Sequence, residues 1–228
     1  FFGAAVTLHE LAGNPLVTGF ADGAISYAAA HCGNRPVRST ATVGGNLCNA
    51  LPSADMAPVL LALDATCYIA DEDSQESLPL DDFFVGPRQT VLEDRLLVGV
   101  ALPGTCAGRR CLSRKLTRSA EDISLVQVAV ALELEENRIV QARIALGAVA
   151  PVPMRAVLAE ALLAGQEIAA VTDDLLLDVA TVAAGESEPR DDHRASAEYR
   201  RAMVGTLTRR LIEENLKLND YSGMGGVA

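Results

Sequence analysis

The chain has 228 residues, half of them hydrophobic and 21% charged, which is long and apolar enough to bury a core and excludes intrinsic disorder. Its 19 Lys and Arg stand against 30 Asp and Glu, and the net charge of −11 argues against a nucleic-acid binder, which needs a basic face. The longest apolar runs, 56–63 and 126–132, fall far short of the roughly 20 residues that cross a bilayer, so no membrane span is predicted.

The cysteines and histidines give no metal-ligand pattern. Five cysteines without a Cys-x-x-Cys pair indicate neither a disulfide framework nor a zinc or iron–sulfur ligand set, and the three histidines have no ligand spacing. No metal site is therefore predicted, and the free thiols favour a reducing compartment, the cytoplasm. The sequence opens on Phe1 without an initiator Met or a signal peptide, which suggests a fragment.

Local patterns in the first 105 residues predict short helices and strands. Thr7 and Glu10 have the spacing of a capping box, and Gly13 and Gly33 can each end a helix in the left-handed conformation. A glycine-bearing segment, 40–49, separates the second helix from the third. The predicted elements are helices over 7–12, 22–32 and 55–63 and strands over 67–70 and 96–102.

The pattern changes after Pro103-Gly104, where a meander of strands is followed by helices. We place a domain boundary near Thr105, which divides the chain into residues 1–105 and 106–228. The fold class is α+β, and the second domain is expected to hold a three-stranded antiparallel sheet and helices. Its predicted elements are strands over 110–117, 123–135 and 139–148, helices over 154–164, 172–184 and 196–218, and a glycine-bearing tail over 219–228.

The segment from Arg38 to Asn46 is the most informative motif. Adjacent Gly44 and Gly45 let a backbone approach a ligand closely and turn its N–H groups inward, as a pyrophosphate requires, and Thr42 and Asn46 can add side-chain donors. The alternative is a tight turn between a strand and a helix. Neither the Rossmann fingerprint nor a P-loop is present, so an enzyme of either class is disfavoured.

The motif resembles the second flavin motif of the FAD-binding subunit of molybdenum hydroxylases, the family of xanthine dehydrogenase and carbon monoxide dehydrogenase. The resemblance rests on Ala-Thr-Val-Gly-Gly-Asn at 41–46, followed by Pro52, Asp55 and the apolar run 58–65. It continues through Gly-Pro-Arg-Gln-Thr-Val-Leu at 86–92, Lys115 before Glu-Asp-Ile-Ser-Leu-Val at 121–126, and Ala-Glu-Tyr-Arg-Arg-Ala-Met-Val at 197–204. Nearly the whole chain is covered.

The resemblance implies a set of cofactor-binding residues and no catalytic side chain. Asp55 would bond a polar part of FAD, Leu97 would pack near the isoalloxazine ring, Lys115 would lie near the pyrimidine edge, and Cys32 is a weaker candidate near the ring. The residues expected at the FAD pyrophosphate are Ala41, Thr42, Gly44, Gly45 and Asn46.

Each of the more distant residues also has a simpler interpretation. Asp55, with Ser53 and Ala54, is a candidate helix N-cap, and Leu97 is otherwise a core residue of a strand. Lys115 belongs to five cations within ten residues of an acidic chain, which would stabilise a negatively charged reduced flavin. The alternative for this cluster is an exposed strand whose cations balance nearby carboxylates.

The family resemblance implies an electron-transfer oxidoreductase subunit that binds FAD. A molybdopterin-binding large subunit would hydroxylate the substrate, a small subunit with [2Fe-2S] clusters would relay electrons, and the flavin would pass them to NAD, a quinone or oxygen. The family's first Gly-Gly flavin motif is absent here, so the alternative is a scaffold subunit that keeps the fold without flavin. A small enzyme with Cys48 as nucleophile is a third reading.

Overall fold

A computed structural model describes the backbone of residues 1–222 and the side chains of residues 1–217. We call residues 1–105 the N-terminal region and residues 106–222 the C-terminal region. The helices of the N-terminal region are α1 (Leu8–Gly13), α2 (Pro15–Thr18), α3 (Ala24–Ala30), α4 (Arg35–Thr40), α5 (Val43–Cys48) and α6 (Ala57–Ala62). Its strands are β1 (Phe2–Gly3), β2 (Thr66–Ala70), β3 (Gln75–Pro79), β4 (Phe84–Gly86), β5 (Gln89–Thr90) and β6 (Leu96–Ala101).

The N-terminal region combines short helices with an antiparallel sheet. The capping box of α1 is confirmed: Thr7 Oγ1 accepts from the Glu10 N–H at 3.2 Å, and Glu10 Oε2 accepts from the Thr7 N–H at 2.8 Å. The predicted second helix is shorter, because Asp22 adopts a left-handed conformation and α3 begins only at Ala24. The sheet has the strand order β1-β6-β2-β3 and is contacted by α5, whereas α6, which is buried along its whole length, packs against the strands of the C-terminal region.

The C-terminal region has a four-stranded antiparallel sheet, so the expectation of three strands is wrong. Its elements are β7 (Arg110–Leu116), β8 (Val126–Glu135), β9 (Arg138–Gly147), β10 (Met154–Arg155), α7 (Val157–Leu163), α8 (Asp173–Glu186) and α9 (Ala197–Ser222). The sheet order is β10-β9-β8-β7. Met154 and Arg155 pair with β9, and the Ala156 N–H extends the ladder to the Ile144 carbonyl, so the predicted helix begins only at Val157.

Strand β8 divides the core of the molecule. Ala129 and Ala131 belong to the hydrophobic cluster of the N-terminal region, while Val128 and Val130 belong to that of the C-terminal region. Helix α6 packs on β8 from the N-terminal region, and α9 packs on it from the C-terminal region. This strand is therefore a wall shared by both clusters.

Two boundaries differ from prediction near the ends of this region. The strand predicted from Ile123 starts at Val126, which leaves Ser124 in the loop before β8. Helix α9 continues to Ser222 rather than ending at Leu218, and the rest of the predicted tail, 223–228, lies outside the described residues. No helix in residues 1–222 is both long and apolar enough to cross a membrane.

Candidate functional site

The glycine motif forms the first turn of helix α5. Thr42 is the N-cap, and its hydroxyl oxygen accepts from the Gly45 N–H at 3.0 Å. The Val43 N–H donates to the Val6 carbonyl at 3.0 Å, and the Gly44 N–H donates to the Ala4 carbonyl at 2.9 Å. The Asn46 N–H donates to Thr42 O at 3.0 Å. The expected nest of inward backbone N–H groups is therefore wrong, because these four amides already have partners within the protein.

The two glycines serve different purposes. A Cβ on Gly44 would lie 2.7 Å from the Ala4 Cβ and 2.9 Å from its carbonyl oxygen, so this glycine permits a close approach of two backbone segments. A Cβ on exposed Gly45 would meet only Thr42 Oγ1, at 3.1 Å, and would otherwise project into open space. Gly45 thus keeps the surface of the motif flat, as close approach of a phosphate requires.

Two side chains of the motif retain donors beside this flat surface. Because Thr42 Oγ1 accepts from Gly45, its own proton points elsewhere. Asn46 Oδ1 accepts from the Met56 N–H at 3.1 Å, which leaves the amide N–H groups of the same side chain for other partners. Ala41 supports the motif through its carbonyl, which accepts from the Leu8 N–H at 2.9 Å. This donor set suits a diphosphate.

Asp55 and Lys115 form a buried ion pair next to this motif. Lys115 Nζ lies 3.0 Å from both carboxylate oxygens of Asp55, and the two side chains are only 6% and 10% exposed. The alternative interpretation, in which Asp55 caps the following helix, is wrong: Met56 is the N-cap of α6, and Asp55 instead contacts Lys115 and Ser124 of the C-terminal region. Since Asn46 contacts the backbone of Met56, the pair and the glycine motif are neighbours.

Further groups fix the pair in place. Ser124 Oγ donates to Asp55 Oδ1 at 2.8 Å, Gln127 Nε2 donates to the Asp55 carbonyl at 2.6 Å, and Lys115 Nζ also donates to the His31 carbonyl at 3.0 Å. Burial, with a further contribution from Asp55, raises the pKa of the neighbouring Cys32 thiol to about 12. Cys32 therefore lies at this site as a neutral thiol.

Comparison with known proteins assigns the chain to a protein family. Residues 1–105 match the FAD binding domain in molybdopterin dehydrogenase, and residues 113–215 match the CO dehydrogenase flavoprotein C-terminal domain. The glyceraldehyde dehydrogenase medium chain of Sulfolobus acidocaldarius is 32% identical over 213 residues, which are 93% of this chain and 74% of that protein. The chain belongs to the FAD-binding medium subunits of the molybdenum hydroxylase family.

Other medium subunits agree with the assignment. The nicotine 6-hydroxylase medium subunit of Paenarthrobacter nicotinovorans is 30% identical, over 93% of this chain and 74% of that one. A solved structure of carbon monoxide dehydrogenase from Hydrogenophaga pseudoflava superposes with a TM-score of 0.86 at 28% identity, over 92% of this chain and 72% of that chain. The chain is thus a medium subunit of xanthine dehydrogenase-, carbon monoxide dehydrogenase- and nicotine hydroxylase-type oxidoreductases.

Leu97 of this medium subunit lies apart from the polar pair. It is 8% exposed on β6, opposite Ile69, and belongs to the core of the N-terminal region. The next residue, Val98, accepts from the Ala4 N–H at 2.9 Å, and Ala4 in turn accepts from Gly44. Leu97 thus adjoins a residue, Val98, that is linked to the glycine motif through two backbone hydrogen bonds, and it contributes no polar group to the Asp55 cluster.

Sequence reasoning missed Ser124 and Gln127, although one signal was visible. Gln127 interrupts the apolar run at the start of β8 and is 1% exposed, and a buried amide needs a partner.

Cys48 does not fit a nucleophile, because burial raises the pKa of its thiol and so disfavours the thiolate. Within residues 1–217 no group of three His, Cys, Asp or Glu side chains is placed to hold a metal ion.

Proposed function

We propose that this medium subunit binds FAD and passes electrons from a partner's [2Fe-2S] clusters to an acceptor. One observation carries the proposal: Asn46 Oδ1 accepts from the backbone N–H of Met56, so the glycine motif lies beside Asp55 and its partner Lys115. Asp55 belongs to the part that matches the FAD binding domain, whereas Lys115 belongs to the part that matches the C-terminal domain. The site is therefore made by both parts of the chain.

The side chains fit the cofactor by their chemistry. Thr42 and Asn46 would donate to the diphosphate over the flat surface of Gly45, while Ala41 and Gly44 would hold this surface in position through their backbone contacts. Asp55 would bond a polar part of FAD, Lys115 would face the pyrimidine edge, and Leu97 would pack near the ring.

FAD supplies the ability to take up electrons singly and release them as a pair. The chain's own contribution is electrostatic: Lys115 brings a positive charge to the site, and its partner Asp55 partly neutralises that charge. Substrate hydroxylation would take place in a molybdopterin-binding large subunit, and a small subunit would hold the [2Fe-2S] clusters. We further propose a cytoplasmic location, a division into domains at 1–105 and 106–228, and no nucleic-acid partner.

An open cavity of about 490 Å³ next to Ser124 is the proposed approach for the acceptor. Its lining includes the exposed residues Arg88 and Arg190, together with Glu188 and Asp192. Arginines favour NAD, which carries phosphates, over a quinone or oxygen, which carry none. Steady-state oxidation of the reduced holoenzyme by each acceptor would rank the three.

The proposal is tested by the visible spectrum of the purified chain, alone and with its partner subunits, followed by chromatography of the released cofactor. We expect a flavin band and FAD. In Gly45→Ala we expect less retained FAD with an unchanged or slightly higher unfolding free energy, because alanine stabilises a helix by about 0.5–1 kcal/mol over glycine.

Gly44→Ala is the matched contrast. Its Cβ would collide with Ala4, so we expect a loss of about 1–3 kcal/mol in unfolding free energy. Equal FAD content in wild type and Gly45→Ala would contradict the assigned phosphate surface. A colourless chain that takes up no FAD in either setting would instead support the scaffold subunit.

A further inference from the structure

Ser124 has a buried hydroxyl group that donates its hydrogen bond to another residue of the site. It lies in the loop before β8, is 2% exposed, and donates to Asp55 Oδ1 at 2.8 Å. A buried hydroxyl without a partner is costly, yet Ser113 on neighbouring β7 has an equally buried Oγ with no hydrogen-bond partner. The two serines therefore offer the same group with and without a contact to the ion pair.

The contacts around Asp55 leave its carboxylate one position. Gln127 holds the backbone carbonyl at 2.6 Å, Ser124 holds one carboxylate oxygen, and Lys115 contacts both oxygens. A rotation of the carboxylate that broke the contact to Ser124 would also disturb the contact to Lys115. The orientation of the lysine thus depends on a serine that it does not touch.

We propose that Ser124 is a positioning residue, whose hydroxyl fixes the Asp55 carboxylate and thereby the ammonium group of Lys115. Two of the three N–H donors of Lys115 go to Asp55 and to the His31 carbonyl, so the third has a fixed direction. An ammonium group that has lost this orientation would stabilise a negatively charged reduced flavin less well. The consequence for the cofactor rests on the proposed function, but the positioning of Lys115 does not.

The composition of the chain allows a direct test without flavin. Lys115 and Lys217 are its only lysines, and the side chain of Lys217 is exposed, so it serves as an internal reference. The flavin-free chain is treated with an amine-acylating reagent, and peptide mass spectrometry gives the rate of modification of Lys115 relative to Lys217. Ser124→Ala is compared with Ser124→Thr, which keeps the hydroxyl, and with Ser113→Ala.

In Ser124→Ala we expect the Lys115-to-Lys217 ratio to rise by about threefold to tenfold, the effect of losing part or all of a hydrogen bond to a charged group. Ser124→Thr and Ser113→Ala should stay near wild type. Urea unfolding of all three variants confirms that they are folded. An unchanged ratio in Ser124→Ala, or an equal rise in Ser113→Ala, would overturn the positioning role.

The link to the cofactor has its own readout. In the FAD-loaded chain, we expect Ser124→Ala to lower the ratio of reduced to oxidised FAD at a fixed redox-buffer potential by about threefold to tenfold. Failure of the chain to bind FAD, both alone and with its partner subunits, would refute the proposed function, while the lysine ratio still decides the role of Ser124. A changed lysine ratio with an unchanged redox ratio would refute the effect on the cofactor.

Discussion

Two aspartates join the N-terminal and C-terminal regions in different ways. Asp55 faces one lysine and one serine, and its cluster lies beside the glycine motif. Asp64, which follows α6 in a left-handed conformation (φ 50°), faces arginines only: Arg109 Nη1 at 2.5 Å and Arg143 Nε at 2.7 Å. Both aspartates come from the N-terminal region, and every cation comes from the C-terminal region.

The arginines around Asp64 have little hydrogen-bonding capacity left. Arg109 is 7% exposed and also binds Glu133 and Gln141, and Arg155 binds buried Glu160. Burial alone would raise the pKa of Asp64, but hydrogen bonds from Arg143 and Arg109 outweigh it and hold the pKa below its ordinary value. This cluster is internally satisfied.

The difference between the two clusters separates a structural contact from a site. Guanidinium forks bind carboxylates in a fixed geometry and saturate them, which suits a permanent junction. A lysine keeps a compact charge with a donor to spare, which suits a place where a ligand must feel that charge. We therefore expect the contacts between the two regions to support stability at Asp64 and, under the proposed function, cofactor binding at Asp55.

The largest effect is expected from Asp64→Asn, which keeps the shape and removes the charge. Arg109 would keep Glu133 but lose its closest carboxylate, and we expect a loss of about 2–3 kcal/mol in the free energy of unfolding. Urea titration measures it. FAD content per folded molecule should stay constant. A loss of flavin without a loss of stability would contradict the purely structural role of the Asp64 cluster.

Lys115→Met should give a smaller loss of stability, about 2 kcal/mol or less, because Asp55 keeps its contact with Ser124. The main change is expected in the potential of bound FAD, which should fall because a nearby positive charge is removed. A spectroscopic redox titration tests this. An unchanged potential together with normal FAD content would place Lys115 among the structural cations.

Acid should weaken the Asp64 cluster. Since the pKa of Asp64 is lowered in the folded state, its contribution is fully present above the unfolded pKa of about 3.9 and is lost as the pH falls through the folded value. We expect the urea midpoint to fall between pH 5 and pH 3, and to fall less in Asp64→Asn. Parallel curves for the two proteins would contradict the assignment.

The smallest effect is expected from Glu167→Gln. This residue pairs with Arg138 at 3.7 Å, and the two side chains are 66% and 58% exposed. Exposed pairs contribute about 0–1 kcal/mol, so we expect a change below about 0.5 kcal/mol. The variant is the matched control for Asp64→Asn, because each removes one carboxylate from an arginine. A comparable loss of unfolding free energy in both variants would show that burial does not strengthen the Asp64 pair.

Sequence reasoning succeeded where the interactions are local. The capping box of α1 depends on two residues three positions apart, and it could be predicted from spacing alone. The pairing of Asp55 with Lys115 spans 60 positions, and neither residue carries a sign of the other. The resemblance to a family placed both near one cofactor but did not predict that they touch.

Two predictions about local structure are wrong for the same reason: contacts with distant backbone segments determined the conformation. The amides of the glycine motif were expected to be free, but Ala4 and Val6 accept from them. A helix was predicted to begin at Met154, but Met154 and Arg155 instead pair with β9 as a short strand. In both places the local sequence allowed the predicted form, and tertiary contact selected another.

The shared wall of β8 has a consequence for how the whole molecule unfolds. Its alanine face closes one hydrophobic cluster and its valine face closes the other, so neither cluster is complete without this strand. A protease cut in the turn Gly104–Gly108 would expose the alanine face rather than release two compact halves. Because each cluster needs this strand, we expect the molecule to unfold cooperatively in a single step.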